Sequence, residues 1–281
     1  MEGELPIIPS MLSGLLDKMA TSLESPVNYQ MVLGDERLPL NPYLGKKLSL
    51  KFSGKILCGH CGRETKKSYG DGYCFPCTQK LAQCDICIVK PELCHFDKGT
   101  CREPEWGESH CMIPHFVYLA NSSGIKVGIT RNTQIPTRWI DQGAIQALPV
   151  FEVKTRFHSG LIEKVLSEHV SDKTNWRNML KGNNDKLYLK SERDQLMNIA
   201  GEQIEILEDE LGLDAFNYLE NADITEIEYP VLEYPTKVSS MSFDKTPIIE
   251  GTLLGIKGQY LIYDNGVINI RRHSGYVIEA E

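Results

Sequence analysis

The amino-acid sequence predicts an α+β protein: a small mixed α/β core and a cysteine-rich domain, flanked by β-rich segments at both ends. Three observations carry that prediction. Alternating apolar runs punctuated by turn residues fill both ends of the chain. All nine cysteines fall between Cys58 and Cys111. Between Met112 and Asn198, strand-like and helix-like periods take turns.

The elements follow in order. Residues 1–57 contain the strand-like runs "VNYQMVLG" and "KKLSLKFSGKIL", separated by the turn-rich "LGDERLPLNP". Residues 58–111 are poor in aliphatics and form the cysteine-rich region. Residues 112–198 read as two strands, a loop, a helix beginning near Arg138, a strand in "ALPVFEVKTRF", and a helix from about Ser159. In that last helix Leu161, Ile162, Val165, Leu166 and Val170 fall on one face. Residues 199–281 begin as an acidic helical stretch and turn strand-like from Asp223. There "NG" after "LIYD" signals a hairpin. The N- and C-terminal β segments are expected to pack together, with the rest inserted between them.

The net charge of −8 on 281 residues is unevenly spread. Residues 199–281 carry 5 basic against 16 acidic side chains, whereas residues 112–198 carry 12 against 8. A phosphate-binding surface is therefore expected in the middle of the chain; the acidic third cannot share it, and suits nucleic-acid mimicry, docking of a protein partner or solubility alike. No apolar run approaches the ~20 residues that cross a bilayer. The N-terminus, "MEGELPIIPSMLSGLL", starts acidic and lacks the positive region of a signal peptide. A cytoplasmic protein with no membrane partner is expected.

In a reducing compartment, clustered cysteines point to metal before disulfides. Cys58, Cys61, Cys74 and Cys77 form two CxxC pairs twelve residues apart. Two such knuckles let four thiolates converge tetrahedrally on one soft ion, and zinc is the default occupant. A second group offers Cys84, Cys87, Cys94, Cys101 and Cys111, with His95 and His110 adjacent. The expected second zinc set is Cys84, Cys87, Cys101 and Cys111, with Cys94 or His95 as substitutes; a cross-brace is equally compatible with the spacing. Lys46, Lys47, Lys51, Lys55, Lys66 and Lys67 surround the first knuckle pair.

The stretch "VYLANSSGIKVGITRNTQIPTRWIDQGA", followed by "SGLIEKVLSEHV", resembles the GIY-YIG nuclease module in a divergent "KVGIT" form. The whole chain also looks like an uncharacterised bacterial family that joins a cysteine-rich, zinc-ribbon-like front to such a core. The resemblance implies that Tyr118 matches the tyrosine of the first motif and Gly128 the glycine of the second. Lys126 stands where the second tyrosine is expected. Arg138 matches the arginine at the helix start and Glu163 the metal-binding glutamate, while Asn175 or Asn178 matches the supporting asparagine. Gln142 stands where a histidine is often found.

The chemistry suits these residue types. Glu163 with waters can hold Mg²⁺ or Mn²⁺, Arg138 can grip a phosphate bidentately, and Tyr118 or Lys126 can take a proton from water. Trp139 and Trp176 offer faces for base stacking, and Arg131 and Arg177 complete the expected nucleic-acid contacts. The expected function is action on DNA or RNA, as a metal-dependent endonuclease or as a zinc protein that holds phosphate in the same cleft without cleaving.

Overall fold

The structure, a computed structural model, describes residues 11–170, 175–182, 185–212 and 214–281. The stretch weighed above as a leader begins outside the described residues. In chain order the first strands are β1 (Leu12–Ser22), β2 (Asn28–Leu33), β3 (Glu36–Pro39) and β4 (Lys47–Ile56). The cysteine-rich stretch holds the short helices α1 (Phe75–Lys80) and α2 (Pro104–His110), linked by single 3-10 turns. Next come β5 (His115–Asn121), β6 (Ile125–Arg131), α3 (Thr137–Asp141), β7 (Gln146–Val153) and α4 (Arg156–Ser167). They are followed by α5 (Trp176–Leu180), α6 (Leu189–Leu211), β8 (Phe216–Tyr218) and β9 (Thr225–Glu226). β10 (Ile248–Lys257), β11 (Tyr260–Tyr263), β12 (Gly266–Asn269) and β13 (Tyr276–Ala280) complete the α+β fold.

The chain divides into two compact units. One comprises the residues up to Thr21, Asn28–Phe75 and Pro230–Glu281; the other comprises Ser22–Val27 and Pro76–Tyr229. The first unit is built on an eight-stranded sheet in the order β12-β11-β10-β4-β13-β1-β2-β3. β4 lies antiparallel between β10, where Leu50 faces Ile249, and β13, where Phe52 faces Ile278. Its sequence alternates, so Leu48 and Leu50 are buried while Lys47 and Lys51 point out.

The hairpin of β11 and β12 turns on Asp264 and Asn265, because Tyr263 already pairs with Gly266. The turn is thus one residue earlier than an Asn–Gly centre. Gly266 is spent on close packing instead: a Cβ there would lie 2.9 Å from the Ser239 carbonyl oxygen.

The second unit has a five-stranded sheet, β6-β5-β7-β8 with β9 also on β7. β5 and β6 form an antiparallel hairpin in which Tyr118 faces Gly128 and Ala120 faces Lys126. Val117, Leu119 and Val127 belong to a core with Ile162 and Leu166 of α4 and Leu196, Ala200 and Ile204 of α6. Because side chains alternate, Tyr118, Lys126 and Gly128 share the opposite face. The helix expected from Ser159 starts three residues earlier. Thr155 is its N-cap, accepting from the His158 N–H, and Ser159 and Gly160 lie buried within the first turns. Of the strands expected after Asp223, β9 and isolated bridges from Val231 to Gly255 and from Ser240 to Val267 form before β10.

Candidate functional site

Tyr118 is the centre of the second unit's polar face. Its side chain is completely buried, and its hydroxyl has no partner in hydrogen-bond geometry. Burial pushes its pKa up; Arg138 of α3 and the Gln142 amide push it down, and Glu163 of α4 pushes it up again. Two helices, α3 with its C-cap and α4, thus direct polar groups at one phenol. Gly128 makes this possible: a Cβ there would sit 2.7 Å from the Tyr118 ring and hydroxyl, so only glycine leaves room for the ring to lie across β6. The Gln142 carbonyl oxygen is also buried without a partner.

The remaining site residues separate into several environments. Lys126 is on the same face as Tyr118, two residue pairs along the hairpin, and is buried. Arg138 and Glu163 are half-buried. Trp139 requires a correction: its indole is 2% exposed and meets the Tyr118 ring edge-on at 5.9 Å, so it is core and has no free face for a base. Trp176 is half-buried at the start of α5, with the Arg177 guanidinium 4.3 Å over its ring. Asn175 caps α5 by accepting from the Asn178 N–H, a structural use of both residues. Arg131 ends β6, where burial lowers its pKa and the Cys111 thiol raises it.

Sequence reasoning passed over two further residues, one near Arg138 and Glu163 and one on the opposite face of the hairpin. Arg156 opens α4, donates to the Ile88 carbonyl at 2.5 Å, and has Arg138, Glu163, Cys111 and Cys87 within electrostatic reach. His115 opens β5 and is fully buried, its Nδ1 2.8 Å from the Ile113 carbonyl and its Nε2 without a partner. Burial drives its pKa down to about 4 against that hydrogen bond, and Arg156 and Arg131 add to the fall. Their signal in the sequence is only position, at the first residue of a strand or helix.

The thiols of Cys58, Cys61, Cys74 and Cys77 lie within 4.8 Å of one another, and this cluster can hold a zinc ion. Local backbone geometry prepares it. Gly62, at φ +68°, turns the chain after the first knuckle, and its N–H donates to the Cys58 carbonyl at 2.9 Å. Burial raises the Cys58 pKa, but the amides of Cys61, Cys74 and His60 outweigh it and bring the thiol to about 6. Those amides solvate a thiolate, the form that binds metal.

The second cysteine group gathers differently from the set expected. Cys87, Cys94, Cys101 and Cys111 line one pocket together with Asp85 and His95, and Cys84 is not among its lining residues. All nine cysteines are free of disulfides. Among the described residues, no helix is long and apolar enough to cross a membrane.

No curated protein and no solved structure matches the chain. One family model does, that described as "Protein of unknown function (DUF2797)", and it matches residues 45–278. That span runs from the start of β4 into β13 and takes in both cysteine groups and the entire β5–α4 module. The chain therefore belongs to the DUF2797 family.

Proposed function

We propose that this protein acts on nucleic acid, and that the β5–α4 module is a phosphodiester-hydrolysing site assisted by a divalent cation. The observation that carries this reading is the approach of Arg138 and Glu163, from separate helices, to the unpartnered Tyr118 hydroxyl. The strand–strand–helix–strand–helix order from β5 to α4 is the one the GIY-YIG resemblance implies, and it supports the same reading.

Each side chain then has a distinct task. Arg138 grips a phosphate through its planar fork. Glu163 is the carboxylate able to hold Mg²⁺ or Mn²⁺. A single carboxylate beside an unpartnered hydroxyl fits Mg²⁺, which keeps most of its waters and needs few protein ligands. When bound, such a cation stabilises charge developing on phosphate oxygens and lowers the pKa of water. Burial holds Tyr118 in its neutral form and out of reach of a substrate, so it supports Arg138 and Glu163 from within and is not the base. Lys126, on the same face, adds positive charge toward the phosphate.

The test is cleavage of mixed single- and double-stranded DNA and RNA with Mg²⁺ or Mn²⁺, beside Glu163→Gln. Wild-type protein is expected to cleave, and the variant to lose at least about 100-fold in rate while still binding. Equal cleavage by both proteins overturns the assignment of Glu163. A second reading is favoured by Lys126 standing where the resemblance implies a tyrosine: the same face holds phosphate without cutting. Binding by both proteins with no cleavage selects it, and absence of binding sinks both readings.

A further inference from the structure

We propose that Cys87, Cys94, Cys101 and Cys111 hold a second zinc ion as four thiolates, and that this ion fixes the loop on which the start of α4 rests. The proposal stands apart from the phosphodiester reading.

Placement is the first argument. Cys87 lies in the 3-10 turn Ile86–Ile88, and Cys94 caps the turn Pro91–Leu93, donating to the Pro91 carbonyl at 3.0 Å. Cys111 caps α2, donating to the Gly107 carbonyl at 2.7 Å, and the position of a Cβ on Gly107 is 3.3 Å from the Cys101 sulfur. Four separate pieces of chain thus each bring a cysteine to the wall of one pocket. Cys87 feels the charge of Cys94 and Cys111, and Cys111 that of Cys94 and Cys101. Ile86, Val89 and Leu93 of the same stretch are exposed, so little apolar burial is left to hold these turns. A structural metal is the usual substitute for a missing core.

Charge is the second argument. The Nε of Arg156 is buried without a partner, and its guanidinium makes no ion pair among the described residues. Arg131 makes none either, and both arginines act on Cys111. Glu163 acts on Arg156, so one carboxylate serves two partly buried cations and further negative charge is called for. Four thiolates around Zn²⁺ carry a net charge of −2, which balances them.

A competing donor set exists: Asp85, Cys87 and His95 lie within 4.8 Å of one another, closer than the four thiols are gathered. Its carboxylate is already engaged, and its imidazole is held through Nδ1, with Nε2 3.6 Å from Asp85. Asp85 takes the Arg102 guanidinium at 2.6 Å, and His95 Nδ1 meets the Thr100 hydroxyl at 2.8 Å. They are neighbours that orient the loop, and zinc favours the softer thiolates. The consequence reaches α4. The Cys111 carbonyl accepts from the Arg156 N–H at 2.8 Å, the Ile88 carbonyl accepts from its side chain, and Pro91 lies against Gly160.

Zinc content of the purified full-length chain, measured by elemental analysis, tests the assignment. Wild-type protein is expected to hold two zinc ions per chain, Cys94→Ser one, and Cys84→Ser and His95→Ala two each. One zinc in wild-type protein overturns the proposal, as does a second zinc retained by Cys94→Ser or lost from Cys84→Ser or His95→Ala. If Cys94→Ser fails to accumulate, the other two variants decide: both keeping two ions supports the set, and either losing one overturns it. Replacing zinc by Co²⁺ in wild-type protein gives a further reading, since two tetrathiolate sites double the sulfur-to-cobalt absorption of one.

Discussion

Gly128 and Tyr118 are read in the sequence as two motif positions, yet in the structure they form one packing event. The Tyr118 ring occupies the space where any side chain at 128 would stand. Because that ring is fully buried and wedged against Trp139, it cannot swing away. Gly128→Ala is therefore expected to destabilise the protein by about 1–3 kcal/mol through overpacking. A denaturant titration checks this, and an unchanged midpoint would mean that the ring has room to move. Trp139 shows why residue identity alone was insufficient. An indole next to an arginine suits base stacking or core packing equally well, and only its 2% exposure decides for the core.

Among the elements, α4 shows most clearly how local signals mislead and then reconcile. "SG" at 159–160 looked like a helix start, but Thr155 supplies the capping oxygen and Gly160 has a different purpose. A Cβ on Gly160 would come within 2.5 Å of Pro91 and 2.7 Å of the Glu92 nitrogen. Alanine at this position gains roughly 1 kcal/mol of helix propensity and loses about 1–3 kcal/mol by overpacking. Since the obstacle includes backbone, the clash should win, and Gly160→Ala is expected to lower the melting temperature. A raised melting temperature would show that the loop yields freely. The first cysteine cluster is the opposite case. Its four thiols come from two CxxC turns, each closing over three residue steps of backbone, so spacing alone was enough to assemble it. The second group spreads over longer and unequal intervals, and spacing could not choose among its five cysteines.

At the level of the whole molecule, net charge is a poor guide to where an anion would bind. The chain is acidic, and its C-terminal third strongly so, yet that third contributes Arg271 and Arg272 to a concavity they share with Lys66 and Lys67. Arg271 is tied to Asp71 at 2.7 Å and Asp244 to the Tyr276 hydroxyl at 2.6 Å, so both of those carboxylates are occupied. Read in sequence, Arg271 and Arg272 are an isolated basic pair; in the first unit they extend the lysines of the zinc-knuckle loop. If this concavity contacts nucleic-acid phosphates, replacing Lys66, Lys67 and Arg272 together by Ala weakens binding. It also lowers the slope of log affinity against log salt by about 2–3, at ~0.9 per phosphate contact on duplex. Fluorescence anisotropy across a salt series measures both quantities, and an unaltered slope removes the concavity from the binding surface.

The sequence by itself determined whatever depends on near neighbours. The α+β class follows from periodicities of two and 3.6, and the tetracysteine cluster follows from paired knuckles, both set within a few residues of chain. The tertiary structure alone decided which cysteines share the second pocket, that Tyr118 is buried with its hydroxyl unpartnered, and that Lys66 and Lys67 lie beside Arg271 and Arg272. Those facts rest on strand pairings such as β4 with β13 and on the docking of α4 against a distant turn. Burial and charge at a residue are summed over everything packed around it, and most of what surrounds these residues is remote in sequence.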